Sequence, residues 1–241
     1  MAIERIEDFY AACAADRTYA AAEPKRKHQR QFDEQVWRPA SCSANLSFLE
    51  LGCGTGLFLA YLRQRRVDNF LGIDSEPRVL EYMPKDLHGH VRIAGIQTAL
   101  DGELSGRCYD RIVLLDVFEH FSPVEGVGLL ERLQRHLAQD GRIVLRLPNA
   151  ASPFGLKHHF GDVTHKAAYT PDSLRQVAYA AGFSPPHCLP VYRRTGWRRA
   201  LQRLSEGVAA CLFGDAPSIW TASFIAVLTP RPSPAQATSR N

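Results

Sequence analysis

Leu46-Ser47-Phe48-Leu49-Glu50-Leu51-Gly52-Cys53-Gly54-Thr55-Gly56 is the stretch on which the fold turns. An apolar run leads into three glycines at alternate positions. Leu57 to Arg66 follows, with Leu57, Leu59, Ala60 and Leu62 on one side and Arg63, Arg65 and Arg66 in the last turn. That order reads as a buried strand, a tight turn and a helix whose cations sit at its negative end. Glycines so placed let the backbone pass close under a ligand and open the helix tightly. A bare tight turn accounts for one or two of them on its own. A dinucleotide fingerprint needs its third glycine one place later, where Leu57 stands, and no Gly-Lys-Ser/Thr follows for a triphosphate loop.

Working outward, the alternation continues. Phe70-Leu71-Gly72-Ile73-Asp74 reads as a second strand, with Ser75 and Pro77 opening the next helix. His90 to Ile96 is a weaker third strand. Tyr109 to Val117 is the fourth, apolar enough to be covered on both faces. Ser122-Pro123-Val124-Glu125 is a capping box, and Leu130, Leu133 and Leu137 mark the face of the helix it starts. Asp140-Gly141 reads as a turn before a fifth strand, Arg142 to Leu147. Thr170-Pro171-Asp172-Ser173 starts another helix with Leu174, Val177, Ala178 and Ala181 inside and Gly182 at its end; Ile219 to Leu228 is the last strand. Strands alternating with helices imply an α/β protein with a parallel sheet covered on both faces. Ligands of such sheets sit beyond the carboxyl ends of the strands, where strand order reverses. Asp74 is then placed to accept hydrogen bonds from ribose hydroxyls, although beside Ser75 it also serves as a plain helix-entry acid.

The chain has 241 residues, 45% hydrophobic and 22% charged, with a net charge of +4. This is an ordinary globular balance, and it excludes wholesale disorder, collagen and coiled coil. Cys13, Cys42, Cys53, Cys108, Cys188 and Cys211 form no C-x-x-C pair, so reduced, mostly buried thiols are expected rather than a zinc knuckle. No apolar run reaches the ~20 residues that span a bilayer. Met1 to Asp8 lacks the apolar core of a signal peptide, so a cytoplasmic protein is expected. Residues 1–45 read as a helical lead-in, with Phe32, Val36 and Trp37 as an apolar stripe ended by Pro39; residues 46–229 are the main domain, and residues 230–241 a disordered tail.

Leu49-Glu50-Leu51-Gly52-Cys53-Gly54-Thr55-Gly56, Leu71-Gly72-Ile73-Asp74, the Asp116-Val117-Phe118-Glu119-His120 that ends the fourth strand, and Gly141 to Asn149 together resemble the motifs of the class I, Rossmann-like S-adenosylmethionine-dependent methyltransferases. The resemblance covers roughly residues 45–185. It implies a doubly wound, mostly parallel seven-stranded sheet with helices on both faces, and S-adenosylmethionine as cofactor. Glu50, Gly52, Cys53, Gly54 and Gly56 would line its methionine part, Asp74 would hold the ribose, and Asp116 and Val117 would lie beside it. Glu119 and His120 would face the transfer cleft. The family often has an acid for the adenine amine after the third strand; here Gln97 stands there, and its side-chain oxygen or the backbone would make that contact.

Gly161-Asp162-Val163-Thr164-His165 and Tyr169-Thr170-Pro171-Asp172-Ser173-Leu174 look like a segment of bacterial surface-polysaccharide methyltransferases, which methylate sugars. The segment follows the fifth strand, so it should lie over the cleft. Asp162 and His165 could act as orienting carboxylate and base, or as ligands of a divalent ion; a loop of solvated histidines is the plainer reading. With His120 they are the catalytic candidates, and no metal site is assigned. The expected function is methyl transfer to an oxygen of a small-molecule or glycan acceptor. The alternatives are methylation of a quinone precursor and a non-catalytic cofactor-binding subunit. No nucleic-acid partner is expected. Arg193 to Leu204 is basic, with Trp197, Leu201 and Leu204 at helical spacing. It reads as a helix packed on the sheet, with weak contact to an anionic membrane surface as the rival.

Overall fold

The computed structural model describes residues 22–232. The first half of the lead-in, Cys13 within it, and all but the start of the tail lie outside the described residues.

Seven strands form one sheet: β1 (Phe48–Leu51), β2 (Phe70–Asp74), β3 (Val91–Ile93), β4 (Tyr109–Leu115), β5 (Leu137–Pro148), β6 (His187–Pro190) and β7 (Ser223–Leu228). Their order is β3-β2-β1-β4-β5-β7-β6. β1 pairs in parallel with β2 and β4, and only β7 runs antiparallel to its neighbours. The order reverses between β1 and β4, so the carboxyl ends of those two strands bracket the ligand crevice. The expected architecture is the observed one.

All four residues of β1 are buried, as a central parallel strand covered on both faces requires. Alternate residues feed two apolar layers. Leu49, Leu51, Ile112, Leu114 and Phe224 pack on one face. Phe48, Val113, Val144 and Ile225 pack on the other, beneath α1 (Arg26–Phe32) and α2 (Leu57–Gln64). α1 continues as a wider π turn over Asp33–Trp37, and Phe32 and Trp37 meet Phe58, Tyr61 and Phe48. The buried Arg111 on β4 donates to the carbonyls of Ala40 and Ser41, which fastens the lead-in to the domain.

The remaining helices are α3 (Val79–Tyr82), α4 (Ile96–Asp101), α5 (Pro123–Gln134), α6 (Pro153–His159), α7 (Pro171–Ala180) and α8 (Trp197–Leu212). α5 starts with the expected capping box: the Ser122 N–H donates to Glu125 at 2.7 Å, and the Ser122 hydroxyl accepts from the Glu125 N–H at 3.4 Å. α7 buries Leu174, Val177 and Ala178.

Several expectations need correction. β3 is three residues long, because Gly95 already caps α4. Leu137 is not on the face of α5, which ends at Gln134; it opens β5. Asp140-Gly141 is therefore no inter-element turn. It lies within β5, where the register against β4 shifts and Asp140 adopts φ +61°. β6 had no signal in the sequence. α8 does not pack on the sheet: none of its residues is buried. Among the described residues the thiols are unpaired, but only Cys53 is buried; Cys42 and Cys188 are half-buried, and Cys108 and Cys211 are exposed. Among the described residues no helix is long and apolar enough to cross a membrane.

Candidate active site

The turn after β1 places Gly52, Gly54 and Gly56 at φ +74°, +51° and +82°, all in the left-handed region. The N–H groups of Gly52 and Cys53 both donate to the Ile73 carbonyl, at 2.8 and 3.0 Å, so the turn is hung on the end of β2. A Cβ on Gly52 would stand 2.4 Å from Val117 Cγ2, whereas one on Gly54 would meet nothing within 4 Å. The turn is thus packed on one side and open on the other. Cys53 turns its thiol away from the opening, into the apolar layer against Gly72 and Leu59. Burial pushes that thiol up, so it remains a neutral packing group.

Asp74 ends β2 and accepts from the Gly54 N–H at 2.7 Å and from the Glu76 N–H at 2.9 Å. Both carboxylate oxygens are thereby fixed at the end of β2. Glu50 is buried, and its Oε2 has no hydrogen-bond partner among the described residues. Burial holds its carboxyl well above the usual carboxylate range; Asp74 adds to the rise and Arg146 opposes it. An orphaned carboxylate oxygen beside an open glycine turn fits the ammonium of an amino acid. With Asp74 for a ribose, these residues suit S-adenosylmethionine.

The end of β4 brings a second group of residues to the crevice. Asp116 adopts φ +58°, which a short polar side chain tolerates. Its carboxylate is forked by Arg146, with Nε 3.0 Å from both oxygens and Nη2 2.6 Å from one. Arg146 was overlooked, although a lone cation within the apolar run Ile143-Val144-Leu145-Arg146-Leu147 was a signal. Val117 lies against Gly52 and walls the turn on that side. Gln97 is differently placed. It sits in the first turn of α4, exposed, with its side-chain oxygen accepting from Arg132 Nη1. The short β3 and early α4 turn that oxygen toward Arg132, so its assignment to an adenine amine is withdrawn.

Phe118–His120 forms a 3-10 turn, and the loop after α6 lies over it: Lys166 and Ala167 donate their N–H groups to the Glu119 carbonyl at 2.9 and 3.2 Å. This brings His120, Asp162 and His165 together, one ligand-type atom of each within 4.8 Å of the others. The histidines are not solvated. His165 Nδ1 lies 2.8 Å from the His159 carbonyl, and His120 Nδ1 lies 3.2 Å from the Thr164 carbonyl. Asp162 does not orient His165 by a direct bond of that kind. Its Oδ1 accepts from the Thr164 N–H and hydroxyl at 2.9 and 2.5 Å. Burial works against its charge, but those bonds and the nearby His165 and His120 hold its carboxyl below the ordinary value. Thr164, the Thr of the Asp-x-Thr-His segment, was overlooked as the group that joins Asp162 to His120. Glu119 is buried behind the cluster; burial, with Asp116 adding to it, pushes its carboxyl up to about 8.

Two cavities open among the described residues. The larger, of about 1070 Å³, lies under α8 away from the glycine turn, between Trp197, Leu201, Phe154 and Trp220. The smaller, of about 430 Å³, reaches Asp116 and Arg146, and Lys27, Arg30 and Arg193 stand on its wall. Contact with the strand ends makes the smaller one the better candidate for an acceptor.

The profile of a methyltransferase-domain family matches residues 7–204. The chain belongs to this methyltransferase family. The methyltransferase superimposes on a SAM-dependent methyltransferase from Archaeoglobus fulgidus with a TM-score of 0.63, at 17% identity over 84% of this chain and 93% of that one. An S-adenosylmethionine-dependent methyltransferase from Clostridium acetobutylicum gives 0.59, at 10% identity over 95% and 100%. Magnesium protoporphyrin IX methyltransferase from Synechocystis, solved with bound SAM, gives 0.52, at 14% identity over 96% and 86%. At these identities the likeness is one of fold. No curated protein matches the sequence.

Proposed function

We propose that this methyltransferase takes its methyl group from S-adenosylmethionine and delivers it to an oxygen of a small-molecule or carbohydrate acceptor in the cytoplasm. The observation that supports the reading is that the open glycine turn and Asp74 follow the carboxyl ends of β1 and β2, and that His120, which joins Asp162 and His165, follows the end of the neighbouring β4. Glu50 and the backbone of Gly52 to Gly56 would hold the amino-acid end, and Asp74 the sugar. When bound, the donor supplies an electrophilic methyl group on a sulfonium and departs as a neutral thioether. The chain's part is therefore alignment and exclusion of water, within ~3–3.5 Å between the reacting atoms. An oxygen acceptor must also lose a proton. His120 and His165, each with Nδ1 spent on a backbone carbonyl, are the groups to draw off that proton, and Asp162 positions His120 through Thr164. The cations around the smaller cavity favour an acceptor carrying negative charge.

Labelled donor with a panel of nucleotide sugars, lipid-linked glycans and catechols tests this. Label appearing on a sugar hydroxyl is the expected outcome. Transfer to catechols alone would support the quinone-precursor reading. Donor binding without transfer to any acceptor, unaltered by His165→Ala, would support a binding subunit. Asp74→Ala should weaken donor binding by about 1–3 kcal/mol, the value of hydrogen bonds to a charged group. Weak contact of α8 with an anionic membrane surface belongs to the same proposal, since Trp197, Leu201, Leu204, Val208 and Leu212 are all exposed on a helix flanked by arginines.

A further inference from the structure

Glu119 poses a problem that the protein's own hydrogen bonds do not solve. Its side chain is 2% exposed, and neither carboxyl oxygen has a hydrogen-bond partner among the described residues. Its Oε1 stands 3.9 Å from His165 Nε2. That nitrogen is an acceptor in the neutral ring, because a carbonyl only accepts and the His159 carbonyl therefore fixes the proton on Nδ1. The buried Glu119 carboxyl and the His165 lone pair thus face each other at 3.9 Å without a hydrogen bond between them.

We propose that His120, Asp162 and His165, backed by Glu119, form a binding site for a divalent transition-metal cation. The three ligand atoms already lie within 4.8 Å of one another. His120 is held much as His165 is: its Nδ1 lies 3.2 Å from the Thr164 carbonyl and 3.1 Å from the Thr164 hydroxyl. Backbone carbonyls that hold the far nitrogen of a ligating imidazole are what metal sites use to fix tautomer and ring orientation. Asp162 is anchored through Oδ1 by Thr164. The cluster is rigid as well as correctly composed, since the loop carrying Asp162 and His165 is tied to the Glu119 carbonyl by two backbone bonds. Two imidazoles and one or two carboxylates suit manganese, iron, cobalt or zinc better than calcium or magnesium.

The inference rests on the oxygen-acceptor reading only for what the ion does. With the ion bound the imidazoles serve as ligands instead of proton acceptors; an acceptor hydroxyl entering beside His165 would meet the ion as a further ligand, be oriented and acidified there, and lose its proton to water. Binding itself is independent of donor and acceptor, so the two readings fail separately.

The test is calorimetric titration of the purified chain with Mn²⁺ and with Zn²⁺, without donor or acceptor. One site per chain is expected. Asp162→Asn and His165→Ala should each lower affinity at least about tenfold, the scale on which even outer partners of a metal act. His28→Ala, in the first turn of α1, should bind like wild type. Circular dichroism melts show whether the variants fold, and manganese paramagnetic resonance on wild type reads the site without any variant. The inference is overturned if wild type binds neither ion, or if folded Asp162→Asn and His165→Ala bind as wild type does. Methyl transfer that persists in chelator alongside absent metal binding would sink this inference and leave the acceptor reading standing.

Discussion

At Gly54 the chain keeps a space open instead of filling it. Its φ of +51° disfavours a side chain, and a Cβ there would meet nothing within 4 Å. Gly54→Val should cost about 1–2 kcal/mol of stability from the left-handed backbone, yet abolish donor binding in calorimetry. Tight binding by a folded variant would move the donor elsewhere. Gly52 is the contrast, because its Cβ would run into Val117 and the damage would register as lost stability. Glu119 makes a pH prediction. An unfolded glutamate titrates near about 4.3, and burial lifts this one to about 8. The folded chain therefore holds a proton that the unfolded chain has lost. The stability this contributes is full below the unfolded value and disappears as pH rises through the folded one. Glu119→Gln should remove that dependence. In chelator, the melting temperature of wild type should fall relative to the variant between pH 5 and 9, and parallel curves would refute the assignment.

At the scale of elements, α8 is the feature that helical spacing describes and leaves open. Trp197, Leu201 and Leu204 promised a buried stripe, and the helix has none. It is held by polar links instead: Arg199 pairs with Glu34 at 3.0 Å, and Tyr192 donates to Glu206 at 2.8 Å. Leu204→Glu with Leu212→Glu should therefore change unfolding free energy by no more than about 0.5 kcal/mol, as at other exposed positions. The same pair should reduce co-sedimentation with phosphatidylserine vesicles at low salt. If wild type stays in the supernatant, the membrane reading of α8 is wrong. Other elements failed to show for a local reason. β6 is four residues long, edge-placed and carries Pro190, so it has neither alternation nor a long apolar run. The irregularity at Asp140-Gly141 has turn chemistry, and only pairing with β4 decides that the chain continues as strand.

For the whole molecule, the antiparallel β7 closes the sheet. It lies between β5 and β6, with Phe224 opposite Leu147 and Pro190 and fully buried. Phe224→Ala should destabilise the chain by about 3–5 kcal/mol in urea unfolding, as aromatic deletions in well-packed cores do. A loss under about 1 kcal/mol would mean that β7 is a detachable edge.

The sequence by itself determined the alternation of strands and helices, the capping of α5 and α7, and the glycine turn with Asp74 twenty residues on. These follow from local periodicity, backbone sterics and side chains that bond within a few residues. Tertiary structure alone decided which side chains share a space. Gln97 went to Arg132, Asp116 to Arg146 and Cys53 to the core, while His120 met Asp162 and His165 from more than forty residues away. Such meetings depend on strand order and loop path, which bring distant segments together without leaving a pattern in either one.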